Sequence, residues 1–194
     1  MASRTDLDVV LVLTPPDVHA KASIMALKKG AHVLCEKPLA RPLSEAAAMV
    51  RTAKRTRKIL KSGFNHRHHP GILQAKKWTD LGKIGKPLFG RARYGIIGRP
   101  GCEKEWRSDP NIIGGGQLME QGIHLLDLYR WFIGPIKEAT CFTATNHWPI
   151  KMEDNAFVIL KMRNDVLVSI HSSTTQWKNL FSFELYGSTG YVQV

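Results

Sequence analysis

The hydrophobic positions of this chain follow two different grammars, one before Asn65 and one after it. In the first, continuous aliphatic runs alternate with helical repeats. Asp8 to Thr14 reads Asp-Val-Val-Leu-Val-Leu-Thr, a run of the kind found in strands buried on both faces of a parallel sheet. Pro15 and Pro16 end it. Asp17 then stands where a helix cap belongs, and the helix is expected to reach about Lys29 and stop at Gly30, with Lys28 and Lys29 complementing its negative end. His32 to Cys35 predicts a second short strand, Ser44 a cap for a helix through about Arg57, and Ile59 to Phe64 a third strand. Connections of this length are right-handed almost without exception, so the three strands should lie side by side and parallel.

Beyond Asn65, Pro70 suits the first turn of a helix reaching about Leu81, and Pro87 to Tyr94 reads as a strand. Gly95 to Gly116 is irregular, with Gly98, Pro100, Gly101, Pro110 and the run Gly114-Gly115-Gly116; a loop this long is usually functional. Leu118 to Phe132 predicts a helix ended by Gly134 and Pro135. Strand patterns then follow one another at Ile136 to His147, Asn155 to Met162, Val166 to Ser173, Phe181 to Tyr186 and from Tyr191 on, with short polar turns, which predicts an antiparallel sheet. The fold class is therefore α/β, a short parallel sheet followed by an α/β region with a largely antiparallel open sheet.

Composition narrows the function classes. Hydrophobic residues at 43% and charged ones at 23% of 194 residues are the values of a soluble globular chain, not of a disordered one. The longest aliphatic run, Val9 to Leu13, is far too short to span a bilayer or to serve as a secretory core, so no membrane partner is expected. Cys35, Cys102 and Cys141 fit neither a zinc pattern nor a closed disulfide framework, and a reducing cytoplasm is the simplest reading. The net charge of +12 raises the question of nucleic acid, and its distribution answers it. Between Arg41 and Arg107 there are 17 Lys and Arg against 4 Asp and Glu, and Arg51, Lys54, Arg55 and Lys58 line one helix face. No aromatics interleave with these cations to stack bases and no known module is visible, so the face is read as solvated and no nucleic-acid partner is expected.

Three clusters carry candidate chemistry. Glu36-Lys37-Pro38 falls at the C-terminal end of a parallel strand, where open α/β sheets bind ligands. A lysine there can favour a deprotonated substrate oxygen, and a carboxylate beside it can hold a ribose hydroxyl; a surface ion pair beside a proline turn fits the spacing equally well. Glu120, His124 and Asp127 recur at the spacing of one helix face, flanked by apolar positions, with no Lys or Arg between Gln117 and Tyr129. An imidazole titrates near neutrality and can take and return a proton when a carboxylate orients it, although a polar helix face or a satisfied buried histidine fits the same pattern. No third strong ligand of suitable spacing accompanies them, so no metal is assigned. Asn65-His66-Arg67-His68-His69 stands at the junction of the two grammars, a usual place for a ligand cleft, but consecutive residues on an extended chain point to opposite sides and do not converge on one ion. Trp106-Arg107 in the long loop suits stacking on a planar ring or pairing an anion, or else anchors the loop by one indole.

Four stretches taken together resemble the glucose-fructose oxidoreductase and inositol dehydrogenase family, Gfo/Idh/MocA. They are Asp8-Val-Val-Leu-Val-Leu-Thr-Pro-Pro-Asp-Val-His19, Gly30-Ala-His-Val-Leu-Cys-Glu-Lys-Pro-Leu39, Gly63-Phe-Asn-His-Arg67, and Gly114-Gly-Gly with Gly122-Ile-His-Leu-Leu-Asp127. The resemblance covers essentially the whole chain. It implies a partial Rossmann domain over residues 1–66, holding strands 4 to 6 of that sheet, and a substrate-binding and oligomerisation α/β domain over 67–194. The implied activity is NAD- or NADP-dependent hydride transfer to or from a sugar or polyol, with a homo-oligomer formed through the antiparallel sheet. Lys37 becomes the active-site lysine, His124 the acid/base, and Glu120 stands where the family commonly has Asp. Thr14, Pro15, His19, Glu36, Lys37, Asn65, Trp106 and Arg107 match positions lining the dinucleotide, and Arg67, Asp127 and His124 match positions near the substrate. The expected arrangement sets the Glu120, His124 and Asp127 trio opposite Lys37 across a shared hollow.

One departure bears on function. The family opens with a strand, a Gly-x-Gly-x-x-Gly turn and a helix that hold the pyrophosphate, and this sequence contains no such turn. The resemblance therefore implies an internal fragment of such an enzyme, C-terminally incomplete as well, with weak dinucleotide affinity. Val9 to Leu13 would form an apolar sheet edge prone to self-association. The alternative is a non-catalytic ligand-binding or assembly module derived from the same family.

Overall fold

The computed structural model describes residues 6–194, so residues 1–5 of the expected first domain lie outside the described residues. In chain order the elements are β1 (Val9–Val12), α1 (Pro16–Lys28), β2 (His32–Cys35), α2 (Leu43–Thr56), β3 (Leu60–Ser62), α3 (Pro70–Asp80) and β4 (Pro87–Ile97). They continue as α4 (Pro110–Ile113), α5 (Ile123–Phe132), β5 (Ile136–Ala144), β6 (Asn155–Met162), β7 (Leu167–Ser173), β8 (Thr175–Gly187) and β9 (Tyr191–Gln193). Two compact units result: the first ends at Phe64 and takes in Asp109–Gly115, the second is Asn65–Ser108 with Gly116–Val194.

In the first unit β1, β2 and β3 lie in that order, all parallel, with Val10 opposite Val33 and Val33 opposite Leu60. Val12, Leu27, Val33, Cys35, Met49 and Ala53 form its core. Burial pushes the Cys35 thiol up to about 11, so it stays protonated and packs as a small apolar group. Both helices are entered through an N-cap proline. Pro15 is the N-cap of α1 and Pro42 that of α2, so Asp17 and Ser44 are not the caps expected of them. Proline's fixed φ and missing N–H suit the entry of a helix, and Asp17 instead places its carboxylate in the first turn, beside the positive end of the helix dipole. The second correction concerns β1. Its aliphatic run is not buried on both faces: Val9 is 55% and Leu11 58% exposed, and β2 is its only strand partner among the described residues. A hollow of about 200 Å³, lined by Val10, Leu11, Ala22, Met25 and Ala26, runs between β1 and α1. Arg51, Lys54 and Arg55 of the cationic stripe are exposed on α2, as a solvated helix face should be, whereas Lys58 is half-buried and lies beyond the helix's last residue, Thr56.

The second unit is a six-stranded sheet in the order β5-β6-β7-β4-β8-β9. Every pair is antiparallel except β4 with β7. One face is apolar: Ala92, Val158, Leu160, Val168, Ile170, Phe183 and Leu185 alternate inward to meet Leu125, Leu128, Tyr129 and Phe132 of α5. Tyr129 is fully buried and its hydroxyl donates to the Glu184 carbonyl at 2.9 Å. Its ring lies over Gly90, where an added Cβ would approach to 2.5 Å, so a residue without a side chain is what lets the helix settle on the sheet. β4 and β8 run longer than the sequence pattern suggests, because their ladder continues through register shifts at Gly95 to Ile97. The expected helix from Leu118 begins as a π-helical turn, Leu118–Gly122, before turning α-helical at Ile123.

The loop between β5 and β6 organises what surrounds it. Glu153 accepts from the backbone N–H of Gly116 and of Leu118, both at 3.1 Å, and its carbonyl accepts from Gln117 N–H at 3.1 Å. An acidic side chain from a distant loop thus satisfies the orphan donors of the π turn. Gly116 must be glycine for this approach, since a Cβ there would meet the Glu153 carbonyl at 2.2 Å. Beside it, fully buried Asp154 accepts from the backbone N–H of Asn146, His147 and Trp148 and from the Asn155 side chain. Burial alone would push the Asp154 carboxyl up, but these donors outweigh it and hold it below the usual carboxylate range. Its stabilisation is therefore present above the unfolded carboxylate value of about 4 and is lost as pH falls through the lower folded value. Asp154→Asn should cost about 2 kcal/mol at neutral pH, and the gap between variant and parent unfolding midpoints should close as the pH of a urea titration is lowered below about 4. Glu153→Ala should cost a similar amount, about 2 kcal/mol in the same titration, by leaving the N–H groups of Gly116 and Leu118 without their acceptor.

Candidate functional site

In the first unit the candidate residues gather at the C-terminal ends of β1 and β2. Thr14, Pro15 and Glu36 are exposed and Lys37 is half-buried. Glu36 N–H donates to the Val12 carbonyl, and the Lys37 N–H donates to Glu36 Oε2 at 3.1 Å, which turns the carboxylate back along its own backbone. The Lys37–Pro38 peptide is cis. His19, on α1, is fully buried, with Nδ1 at 2.8 Å from the Pro38 carbonyl and Nε2 at 2.8 Å from the Thr14 carbonyl. Both ring nitrogens are committed to main-chain oxygens, so His19 ties the ends of the two strands to each other and sets the backbone that carries Thr14 and Lys37.

In the second unit the structure brings together Arg67, Glu120, His124 and Asp127 with His66, Tyr94 and Phe181. His124, on the first turn of α5, is 3% exposed. Its ring packs against His66, with centroids 4.1 Å apart, and lies 6.0 Å from Tyr94. Tyr94 and Phe181 meet edge to face at 5.5 Å and close the aromatic wall, Tyr94 coming from β4 and Phe181 from β8. Burial, with the Glu120 charge adding to it, raises the Tyr94 phenol above its ordinary value, so it stays protonated and able to donate.

The carboxylates of the trio face different cations. Asp127 takes a two-pronged pair from Arg67, Nε and Nη2 each at 2.6 Å, and this hydrogen bonding raises the guanidinium further above its ordinary value. The Arg67 guanidinium also lies 5.2 Å from the centre of the Trp131 ring, which fixes its plane. Glu120, carried on the π turn, stands 3.6 Å from Arg107, whose guanidinium covers the Trp106 ring at 4.3 Å, and it accepts from Gln117 Nε2 at 3.4 Å. The π turn admits one more residue to its hydrogen-bonded ring than an α turn, so the regular spacing read from the sequence does not carry from Glu120 through to Asp127. Asn65 is exposed, and its Oδ1 accepts from His66 Nδ1 at 3.0 Å. Of the residues missed, Tyr94 has a readable signal, since it continues the inward alternation of Gly90 and Ala92 along β4. Glu153, whose carboxylate holds a helix start 35 and 37 residues away in sequence, has none.

No group of His, Cys, Asp and Glu suited to a metal ion occurs among the described residues, and no described helix is long and apolar enough to cross a membrane. What the geometry offers is proton chemistry: a buried imidazole beside a phenol, with arginine-held carboxylates around it.

The sequence and the fold both match known proteins. Residues 1–64 match the oxidoreductase family with an NAD-binding Rossmann fold, and residues 72–193 match the GFO/IDH/MocA C-terminal domain. Levoglucosan dehydrogenase of Pseudarthrobacter phenanthrenivorans is 27% identical over 95% of this chain and 54% of its own length. A solved levoglucosan dehydrogenase in complex with NADH and levoglucosan superposes with a TM-score of 0.93 at 27% identity, over 99% of this chain and 55% of that one. An oxidoreductase domain protein from Kribbella flavida gives 0.91 at 32% identity, over all of this chain and 56% of its own. The chain thus spans about half the length of the relatives it matches. Two family matches that together take in nearly every residue, on a fold shared with solved members, place the chain in the Gfo/Idh/MocA oxidoreductase family.

Proposed function

We propose that this chain carries the chemistry of an NAD- or NADP-linked oxidoreductase that moves hydride between a nicotinamide and a hydroxyl-bearing carbon of a sugar or polyol. The observation that carries the reading is His124, an imidazole 3% exposed, held beside Tyr94 and flanked by two arginine-paired carboxylates. The relatives' substrates, levoglucosan among them, are of the same class.

The strand ends of the first unit fit the ribose and nicotinamide side of a dinucleotide. Thr14 and Pro15 present a small exposed surface at the end of β1, Glu36 offers a carboxylate to a ribose hydroxyl, and His19 holds the backbone beneath them. Asn65, Trp106 and Arg107 complete the proposed contacts. When bound, the nicotinamide supplies the hydride acceptor or donor. The remaining work belongs to side chains of this chain. His124 takes the substrate hydroxyl proton, the Lys37 ammonium stabilises the alkoxide that develops, and Glu120 biases the field at the imidazole. Arg67 and Asp127, locked to each other, present fixed donors and acceptors to the other hydroxyls of the substrate.

The partner assigned to the outer face of the six-stranded sheet is a second copy of the chain. Phe142, Phe157, Ile159 and Leu167 are exposed there, more apolar surface than a solvent-facing sheet normally shows. His171 stacks on Phe157 at 4.0 Å, and burial and the Arg93 charge hold its imidazole below the ordinary value, so it adds no charge to the face near neutrality.

Two measurements test these assignments. NADH or NADPH formation from a panel of sugars and polyols should appear when the chain is joined to a glycine-rich strand-turn-helix half. His124→Asn and Lys37→Met should each lower the rate about 100-fold or more. Dinucleotide binding without turnover in the joined protein would favour the non-catalytic module instead. Light scattering should report a dimer or larger assembly that Phe157→Arg combined with Ile159→Glu reduces to a monomer; an unchanged mass would exclude this face.

A further inference from the structure

We propose that the hollow on the outer face of the six-stranded sheet is an anion site, in which Arg93 holds a carboxylate or phosphate. The anion is taken up when a second copy covers the face, so the site rests on the second-copy assignment and extends it to a ligand. The hollow is about 540 Å³, with Arg91, Arg93, Phe157, Ile159, Ser169 and His171 around it. Across the sheet Ile159 lies opposite Ser169 and Ser169 opposite Arg91, while Phe157 lies opposite His171 and His171 opposite Arg93. The short Ser169 side chain leaves the space open, and exposed Phe157 and Ile159 form its apolar wall.

Two guanidiniums and one carboxylate line this space, and the carboxylate is spent. Glu184 accepts from Arg91 Nε and Nη2 at 3.1 and 2.8 Å, from the Tyr186 hydroxyl at 3.1 Å and from the Ser182 hydroxyl at 3.3 Å. Arg93 makes no side-chain hydrogen bond or ion pair among the described residues. Its neighbour His171 is satisfied as a neutral ring. Asn155 donates its amide N–H groups to Asp154 and Thr175, so its Oδ1 accepts from His171 Nε2 at 3.0 Å, and His171 Nδ1 accepts from Gln176 at 3.4 Å. Burial and the Arg93 charge hold that imidazole below its ordinary value.

An isologous interface places the same patch on both copies. The other carboxylate of this face among the described residues, Glu138 of β5, lies opposite Lys161 and 3.8 Å from Lys137. A second copy therefore brings Arg93 no spare carboxylate, and covering the guanidinium strips water from an unpaired charge, which is costly. An oxyanion removes that cost. Two of its oxygens match the guanidinium fork, and the Ser169 hydroxyl lies in the same hollow as a further donor. Because the anion binds the covered face better than the open one, linkage requires it to strengthen association.

Light scattering along a dilution series, in chloride, citrate or inorganic phosphate at one ionic strength, reads the association directly and needs no turnover. At about 10 mM citrate or phosphate, dissociation should shift to about tenfold lower protein concentration than in chloride. A shift with citrate alone assigns a carboxylate, and one with phosphate alone a phosphate. Arg93→Gln should associate more tightly in chloride and lose the dependence on the anion. Ser169→Leu, which fills the hollow and keeps the guanidinium, should lose it as well. Equal dissociation in the three salts overturns the proposal, as does a dependence that survives Arg93→Gln. A chain that stays monomeric in every salt removes the second-copy assignment and this site with it, so the two failures are told apart.

Discussion

The placement of His124 depends on how closely α5 settles on the sheet, and that distance is set where the Tyr129 ring lies over Gly90. A methyl group at residue 90 would meet the ring at 2.5 Å, and the Tyr129 hydroxyl would lose its reach to the Glu184 carbonyl. Burial of the apolar side of α5 supplies the driving force, and the missing side chain on β4 supplies the room. With the helix so fixed, its first turn brings the imidazole against His66 and Tyr94, while the next turn holds Asp127 against Arg67. The same contact orders the core and the candidate chemistry.

Charge in the second unit is arranged in pairs. Asp127 with Arg67, Glu120 with Arg107 and Glu184 with Arg91 each set a carboxylate against a guanidinium, whose planar fork holds geometry better than an ammonium would. Glu153 and Asp154 are different. Their partners are backbone N–H groups, and they hold the π turn and the loop before β6 in shape. The long basic excess of the sequence resolves accordingly: part of it is an exposed stripe on α2, and part of it is the cationic half of these pairs.

Where the sequence misled, a physical cause is identifiable. Asp17 and Ser44 were the natural caps by residue type, yet each stands two residues after an N-cap proline, Pro15 or Pro42, whose extended backbone had already turned the chain into the helix. The aliphatic run at β1 has the composition of a doubly buried strand, but composition reports the environment a strand suits, and Val9 and Leu11 are exposed among the described residues. The trio Glu120, His124 and Asp127 was found by helical spacing, although the segment opens as a π turn. The residues were legible because their types suit proton chemistry, and their partners were not, because Arg67 and Arg107 reach them from 60 and 13 positions away in sequence.

The parallel order of β1, β2 and β3, the strand-rich second unit, the helix bearing His124 and the cluster at the ends of β1 and β2 were determined by local pattern, since hydrophobic period, proline and glycine act over a few residues. Tertiary structure alone decided that His19 spends both nitrogens on Thr14 and Pro38, that Glu153 holds the start of the π turn, and that His66 lies against His124. Those contacts join separate elements and loops, most of them far apart in the chain, and no periodicity along a sequence encodes which side chain will fill the space beside a given ring.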